Sequence, residues 1–303
     1  MNSSKNTLAL LHPSYLLGWL GLGLLWLITR LPYRWQMSCG KKLGLLLYYL
    51  PSKLKNITEI NLALCFPELS LEKRRELCKK NFASLGIGLI ETAMAWWLSD
   101  EKLATLFHVS GFAFVEEAYA KGKGVILAGP HFTSLEMIAR LLSTHYSFAI
   151  MYRPHKKRLL AYMHERFRPK TIHYIPRHRM RELIRCLNEK SAVWYAYDVD
   201  AGEKRSVFAP FFGIPTASLT SVSRLVELSG AVVIPISFYR RDDGTGYEIM
   251  LSAPLENFPG KDLIEDATRL NQTLEMGIRQ KPEQYIWQYK RFKTRPAGEK
   301  RFY

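Results

Sequence analysis

In Gly124–Glu136, GVILAGPHFTSLE, an apolar run ends at Gly129-Pro130; His131 follows at once, and Glu136 stands five residues further on. The run suits a buried strand and the Gly-Pro pair a tight corner. The rim of a sheet beyond such a corner is where α/β proteins place ligands. A histidine there exchanges a proton near neutral pH, and a carboxylate within reach fixes its tautomer, so the pair suits a general base acting on a hydroxyl. Five residues turn roughly 140° around a helix, so both residues cannot share a helical face. They meet only if His131 precedes the helix and Glu136 lies in its first turns, the placement that Pro130 favours. Spacing alone is unspecific. With 8 His and 27 acidic residues in the chain, chance supplies about 0.7 such pair, and a solvated histidine beside an unrelated helix-start glutamate fits the same letters.

Four further groups carry potential chemistry. Arg153, in Tyr152-Arg153-Pro154, opens a basic region that includes Arg166, Arg168, Arg177 and Arg185. Such a run is commonly a solvated helix face, but arginines near strand ends can grip phosphate or carboxylate with both prongs of the guanidinium. Asp198 and Asp200 end an apolar run, Trp194–Tyr197. Mg²⁺ would call for more oxygen ligands than are evident; Asp198 is read as orienting a base, an arginine or a sugar hydroxyl, and Asp200 as a possible turn former beside Gly202. The aromatic stretch Val207–Pro215 either plugs the core or faces lipid. Trp287–Arg295, WQYKRFKTR, interleaves bases and aromatics in a way that suits nucleic acid or an anionic membrane surface; beside an apolar N-terminus, membrane is the simpler reading.

The elements that must position these groups follow from pattern. From Phe107 onward, strand-like runs (Gly124–Gly129, Ser147–Tyr152, Ile172–Ile175, Ala192–Tyr197, Val232–Tyr239, Tyr247–Leu251) alternate with helix-like ones. That rhythm predicts an α/β fold, a mixed and mostly parallel sheet covered by helices. Arg240–Gly244 suits a hairpin turn near the sheet edge. Before residue 107 the chain is helical in character. Asn81–Leu98 is apolar with Glu91 its only charge, which fits a buried core helix or a wall for a long acyl chain. The expected division is a membrane anchor at 1–30, a helical membrane-proximal region at 31–106 and an α/β core at 107–303.

The chain has 303 residues, 43 Lys+Arg against 27 Asp+Glu and a formal net charge of +16, so its partners are expected to be anionic. Its four cysteines form no CxxC or metal-ligand spacing, and no Walker or dinucleotide loop is present. Leu8–Thr29 carries no formal charge over about 22 residues, the length a bilayer-crossing helix needs, although His12 and Pro13 weaken its start. Arg30, Arg34, Lys41 and Lys42 follow it. They favour an uncleaved anchor, single-pass or peripheral, with the remainder on the cytoplasmic side.

Six blocks in order, GPHFTSLE (129–136), YRP (152–154), ERFR (165–168), WYAYDVD (194–200), PFFG (210–213) and PEQYIWQYKRFKTRP (282–296), resemble the lipid A biosynthesis acyltransferases, the late acyltransferases of the Gram-negative envelope, and among them most closely the lauroyltransferase branch. The resemblance implies a glycerolphosphate-acyltransferase-like fold at the inner membrane. It implies acyl transfer, lauroyl above all, from acyl carrier protein to the 3-hydroxyl of a fatty acyl group on Kdo2-lipid IVA. The family's H-x4-D/E motif falls on His131 and Glu136, as base and imidazole partner. Its arginine and aspartate fall on Arg166 and Asp198, with Arg153 a further substrate-binding candidate. Acyl-carrier protein, Kdo2-lipid IVA and membrane lipids are the implied partners, with no nucleic acid, no metal and no cofactor beyond the acyl donor. Two other readings stay open: an acyltransferase of glycerol-phosphate lipids, which typically carries H-x4-D, and a non-enzymatic, membrane-anchored binder of anionic ligands.

Overall fold

The structure, a computed structural model, describes residues 9–303. Among the described residues five α-helices precede the sheet: α1 (Leu16–Ile28), α2 (Tyr33–Tyr49), α3 (Lys53–Cys65), α4 (Leu71–Trp97) and α5 (Asp100–Ala104). The α/β part follows as β1 (Phe107–Ser110), α6 (Ala113–Ala120), β2 (Val125–Gly129), α7 (Leu135–Leu142), β3 (Phe148–Tyr152), α8 (Arg158–Phe167), β4 (Ile172–Pro176), α9 (Met180–Asn188) and β5 (Ala192–Ala196). It continues with β6 (Ser206–Phe211), β7 (Ile214–Leu219), α10 (Ser221–Ser229), β8 (Val232–Arg240), β9 (Tyr247–Leu251) and α11 (Leu263–Gln280).

Seven strands form one sheet in the order β1-β9-β8-β2-β5-β3-β4, while β6 and β7 pair separately as a hairpin. Five neighbouring pairs are parallel and β8–β9 is antiparallel, so the sheet is mixed and mostly parallel, as the alternation predicts. The central β2 is buried at every position, which is why its sequence is continuously apolar rather than alternating. Helices cover both faces. On the first face lie α6, α7 and α8, and α4 packs over α7; on the second lie α9, α10 and α11. One apolar core runs through all of it, from Leu62, Phe82 and Met94 of the early helices through Ile126 and Val193 to Trp287 and Phe292.

Helices α2 and α4 cross with almost no separation. A Cβ at Gly44 or Gly86 would overlap the facing backbone, so glycine is required at this crossing. The space left by Gly86 is therefore filled by α2, and that beside Gly88 by the Thr133 backbone; neither is left open for an acyl chain.

Several expectations change. No described helix is long and apolar enough to cross a membrane. Two 3-10 turns, Ala9–Leu11 and Pro13–Tyr15, occupy the start of the apolar run, because Pro13 opens a new turn and the His12 side chain accepts from the Ser14 amide. The 13 residues of α1 reach about 20 Å, short of the roughly 30 Å of bilayer hydrocarbon. Leu8 and the residues before it lie outside the described residues. Val207–Pro215 belongs to the β6–β7 hairpin and plugs the core with Phe211. The 287–295 stretch is partly built into the core as well: Trp287, Arg291 and Phe292 are buried, while Tyr289, Lys290 and Lys293 are exposed. Arg240 is the last residue of β8 and is buried; the turn starts after it.

Candidate active site

The site stands at the carboxyl end of the central strands. In the parallel pair β2–β5, Gly129 lies opposite Ala196. His131 and Asp198 each follow two residues later, so the register delivers them side by side. Gly129 has to be glycine, since a Cβ there would press on Ile236 Cγ2 at 2.6 Å. Asp198 clasps His131 twice: Oδ2 accepts the backbone N–H at 2.8 Å and Oδ1 lies 2.5 Å from Nδ1. The Asp198 side chain is 1% exposed and that of His131 35% exposed, so the carboxylate is sealed beneath a ring whose other edge is open. With Nδ1–H donating to the carboxylate, neutral His131 presents an unprotonated Nε2 outward. Burial works to lower the imidazole pKa, but the Asp198 charge and hydrogen bond outweigh it and leave the ring above its ordinary value. Burial likewise works to raise the Asp198 carboxyl, and the His131 charge and hydrogen bonds hold it below the usual carboxylate range.

The histidine loop is held from three sides. The segment 284–286 pairs with it in antiparallel fashion: Thr133 N–H donates to Gln284 O at 2.8 Å and Ile286 N–H to His131 O at 3.0 Å. From α4, the Ser84 hydroxyl lies 2.7 Å from Thr133 Oγ1. From β8, buried Arg240 donates from Nη2 to Thr133 Oγ1 at 2.7 Å and to Glu91 Oε2 at 2.8 Å, and from Nε to Glu91 Oε1 at 2.5 Å. Tyr247 adds a hydroxyl to Glu91 at 2.8 Å. Glu91, the lone charge in the apolar run of α4, is thus the counter-ion of a clamp on the loop. Arg291, the other buried cation nearby, donates to Ala217 O at 2.8 Å, and its charge helps keep Asp198 ionised.

Glu136 occupies the second position of α7, in the first turn as expected. Its carboxylate makes no hydrogen bond or ion pair among the described residues, to His131 included; burial pushes its carboxyl above the usual range. It lies near Tyr174, where its charge is felt together with those of Arg168 and Arg140. Arg168 is half-buried with its guanidinium 5.0 Å from the Tyr174 ring centroid, whereas Arg166 is exposed and rests 5.8 Å from the ring of Phe167. Beside them His164 is buried between Tyr152 and Tyr174, and burial, then His155 and Arg168, lower its pKa to about 4. Arg153 is exposed in the loop after β3. Asp200 holds structure: its Oδ1 accepts from Gly202 N–H at 2.9 Å and from Thr294 Oγ1 at 2.8 Å, and its Oδ2 from Thr294 N–H at 2.7 Å.

The structure therefore brings His131 and Asp198 into contact, sets Glu136 with Tyr174 and Arg168, and leaves Arg153 and Arg166 on the surface. No group of three or more His, Cys, Asp or Glu suited to a metal ion occurs among the described residues. The arrangement is that of a hydrogen-bonded, carboxylate-oriented base at a sheet rim, able to take a proton from a hydroxyl brought to Nε2.

Comparison with known proteins bears on what that hydroxyl belongs to. Residues 4–294 match the family described as bacterial lipid A biosynthesis acyltransferase. The lipid A biosynthesis lauroyltransferase of Escherichia coli (strain K12) is 37% identical over 301 residues, spanning 98% of this chain and 98% of that protein. The lipid A biosynthesis palmitoleoyltransferase of the same strain is 36% identical over 295 residues, spanning 97% and 96%. A lipid A biosynthesis acyltransferase of Haemophilus influenzae is 34% identical over 291 residues, spanning 94% and 93%.

Proposed function

The chain belongs to the bacterial lipid A biosynthesis acyltransferase family and is an O-acyltransferase of lipid A biosynthesis, and from that premise we propose that His131, oriented by Asp198, transfers an acyl chain, lauroyl by preference, from acyl carrier protein to the 3-hydroxyl of a fatty acyl group on Kdo2-lipid IVA. Nε2 removes the hydroxyl proton as the oxygen attacks the thioester carbonyl. The new ester C–O bond forms, the C–S bond breaks, and the imidazolium returns its proton to the departing thiolate. Asp198 keeps the ring in the productive tautomer and stabilises its charged form, the role that sequence spacing had suggested for Glu136. Glu136, without a hydrogen-bond or ion-pair partner among the described residues, is left as an acceptor for the bound substrates or for Arg168 once they are in place. No residue becomes acylated.

The observation that carries this reading is the double clasp of Asp198 on His131. Electrostatics support it as well: both substrates are acidic and the chain carries +16. At the membrane, α1 and α2 supply an exposed apolar band, with Leu17 83% and Trp35 66% exposed, bordered by Arg30, Lys41 and Lys42. We assign this band to the cytoplasmic surface of the inner membrane, where an amphipathic element can lie in the interface without crossing it.

The deciding experiment measures acyl transfer from lauroyl-carrier protein to radiolabelled Kdo2-lipid IVA. Wild type is expected to give product and His131→Ala to lose about 10²–10⁴-fold, the usual worth of a general base. Wild type inactive here but active on a glycerol-phosphate acceptor would overturn the assignment of the acceptor.

A further inference from the structure

The second face of the sheet carries a feature that the mechanism above does not use. Between α9 and α10 lies a cleft of about 770 Å³. Met151, Ile184 and Leu225 line its apolar walls, and Arg177, Arg205 and Arg224 stand around it. All three arginines are exposed, and none of their guanidinium groups hydrogen-bonds or pairs with a carboxylate among the described residues. Three uncompensated cations around one cleft repel each other, an arrangement that an anion would relieve. Planar guanidinium groups lining one cleft suit a phosphate, which each can grip with two N–H donors.

The cleft is close to the histidine. Tyr195 forms part of its lining, with its hydroxyl donating to Ser221 at 2.8 Å, and so does Val199, the residue after Asp198. Tyr195 and Asp198 are three residues apart, about 10 Å of extended chain. The cleft also continues outward into the basic ridge at and along α9, where Arg179 and Arg185 are partly neutralised by Glu182 and Glu189 and Arg181 has no ion pair among the described residues. The apolar band of α1 and α2 lies over the opposite face, since α1 packs on α8 and the end of α4. A lipid arriving from the membrane meets that first face; a soluble partner meets the second.

We propose that this cleft seats the phosphate of the acyl donor's phosphopantetheine arm, gripped by Arg177, Arg205 and Arg224, with the acidic carrier protein resting on the α9 ridge outside. The inference rests on the carrier-thioester donor of the proposed function and adds the place where that donor docks. The apolar walls take the alkyl part of the arm, and the thioester end passes over the strand ends towards His131.

The test uses labelled carrier protein in its holo form, with the arm, and its apo form, without it, titrated by fluorescence anisotropy against full-length enzyme. Wild type is expected to bind the holo form at least about tenfold more tightly, and R205Q/R224Q to remove that difference, a loss on the scale of charge-assisted hydrogen bonds. In steady-state transfer the same variant raises the donor KM by about the same factor while kcat and the acceptor KM stay within about twofold, and R205K/R224K recovers part of the loss. Equal holo and apo binding by wild type overturns the proposal. So does a variant that raises the acceptor KM and leaves the donor KM alone, which would give the cleft to a phosphate of the acceptor lipid. Should R205Q/R224Q fail to fold, R177Q carries the same comparison. If wild type transfers nothing to Kdo2-lipid IVA, the acceptor assignment falls, while the holo-apo contrast still decides the cleft.

Discussion

A carboxylate that binds both the ring and the backbone amide of a histidine sets the acidity of the base as well as its orientation. The His131 imidazole is held above its ordinary pKa by Asp198, and only the neutral ring can accept a proton, so kcat/KM should rise as pH climbs through that raised value. Asp198→Asn removes the charge and so lowers the ring's pKa. The acid limb of the pH profile is expected to move to lower pH while the plateau falls by about 10²–10⁴-fold, as when a buried orienting carboxylate is lost elsewhere; an unmoved limb would separate Asp198 from the base. Glu136→Gln leaves the Asp198 contact intact, so its acid limb is expected to stay where the wild type's lies, whatever its rate. The sequence made His131 legible through its strand and Gly-Pro corner, and put Asp198 at a strand end as a base-orienting candidate. It did not show that the two meet. The missing information was the β2–β5 pairing: once Gly129 is set opposite Ala196, both residues are two steps past the pair. Sequence spacing pointed to Glu136 because it was the nearer acid along the chain. Parallel strands ignore that distance.

The same holds between elements. Glu91 looked like a blemish in an apolar helix and Arg240 like part of a surface turn, yet they form one buried ion pair 149 positions apart that reaches the histidine loop through Thr133. Glu91→Ala leaves a buried guanidinium unpaired and is expected to cost about 3–5 kcal/mol in urea unfolding. Glu91→Leu combined with Arg240→Met should be far milder than the sum of its singles, a coupling that a double-mutant cycle measures. The double variant still loses the donor to Thr133, so its transfer rate should drop while its stability recovers. Gly88→Ala tests the same contact from the other side. Its methyl would overlap the Thr133 carbonyl, and pushing α4 off the loop should cost about 1–3 kcal/mol and lower kcat. Of the strands, β1 and the β6–β7 hairpin were not legible. The first is a four-residue edge strand, and the second has its alternation masked by aromatics on both sides.

At the scale of the whole molecule the two faces of the sheet differ in surface chemistry, with the apolar band of α1 and α2 outside one and the basic ridge of α9 outside the other. Replacing Leu17, Leu20 and Leu24 by Asp should reduce co-flotation with anionic vesicles at least about tenfold, since each buried leucine side chain is worth about 1.5–3 kcal/mol. The activity on a detergent-dispersed acceptor should fall much less. Raising salt should weaken the remaining binding further, and a salt-insensitive association would remove the basic residues from the interface. Composition announced the apolar run and the charge; it could not announce that Pro13 breaks the run into turns and leaves α1 too short to span. The pairing of the histidine loop with 284–286 has a bearing on how the enzyme is made. His131, Glu136 and Asp198 leave the ribosome before Gln284 does, so for several seconds of synthesis at about 5–20 residues per second a nascent chain carries them without the segment that pairs with the histidine loop. A chain ending before Gln284 would lack that pairing, and its transfer activity is expected to fall far below that of the full-length protein when the two are assayed side by side.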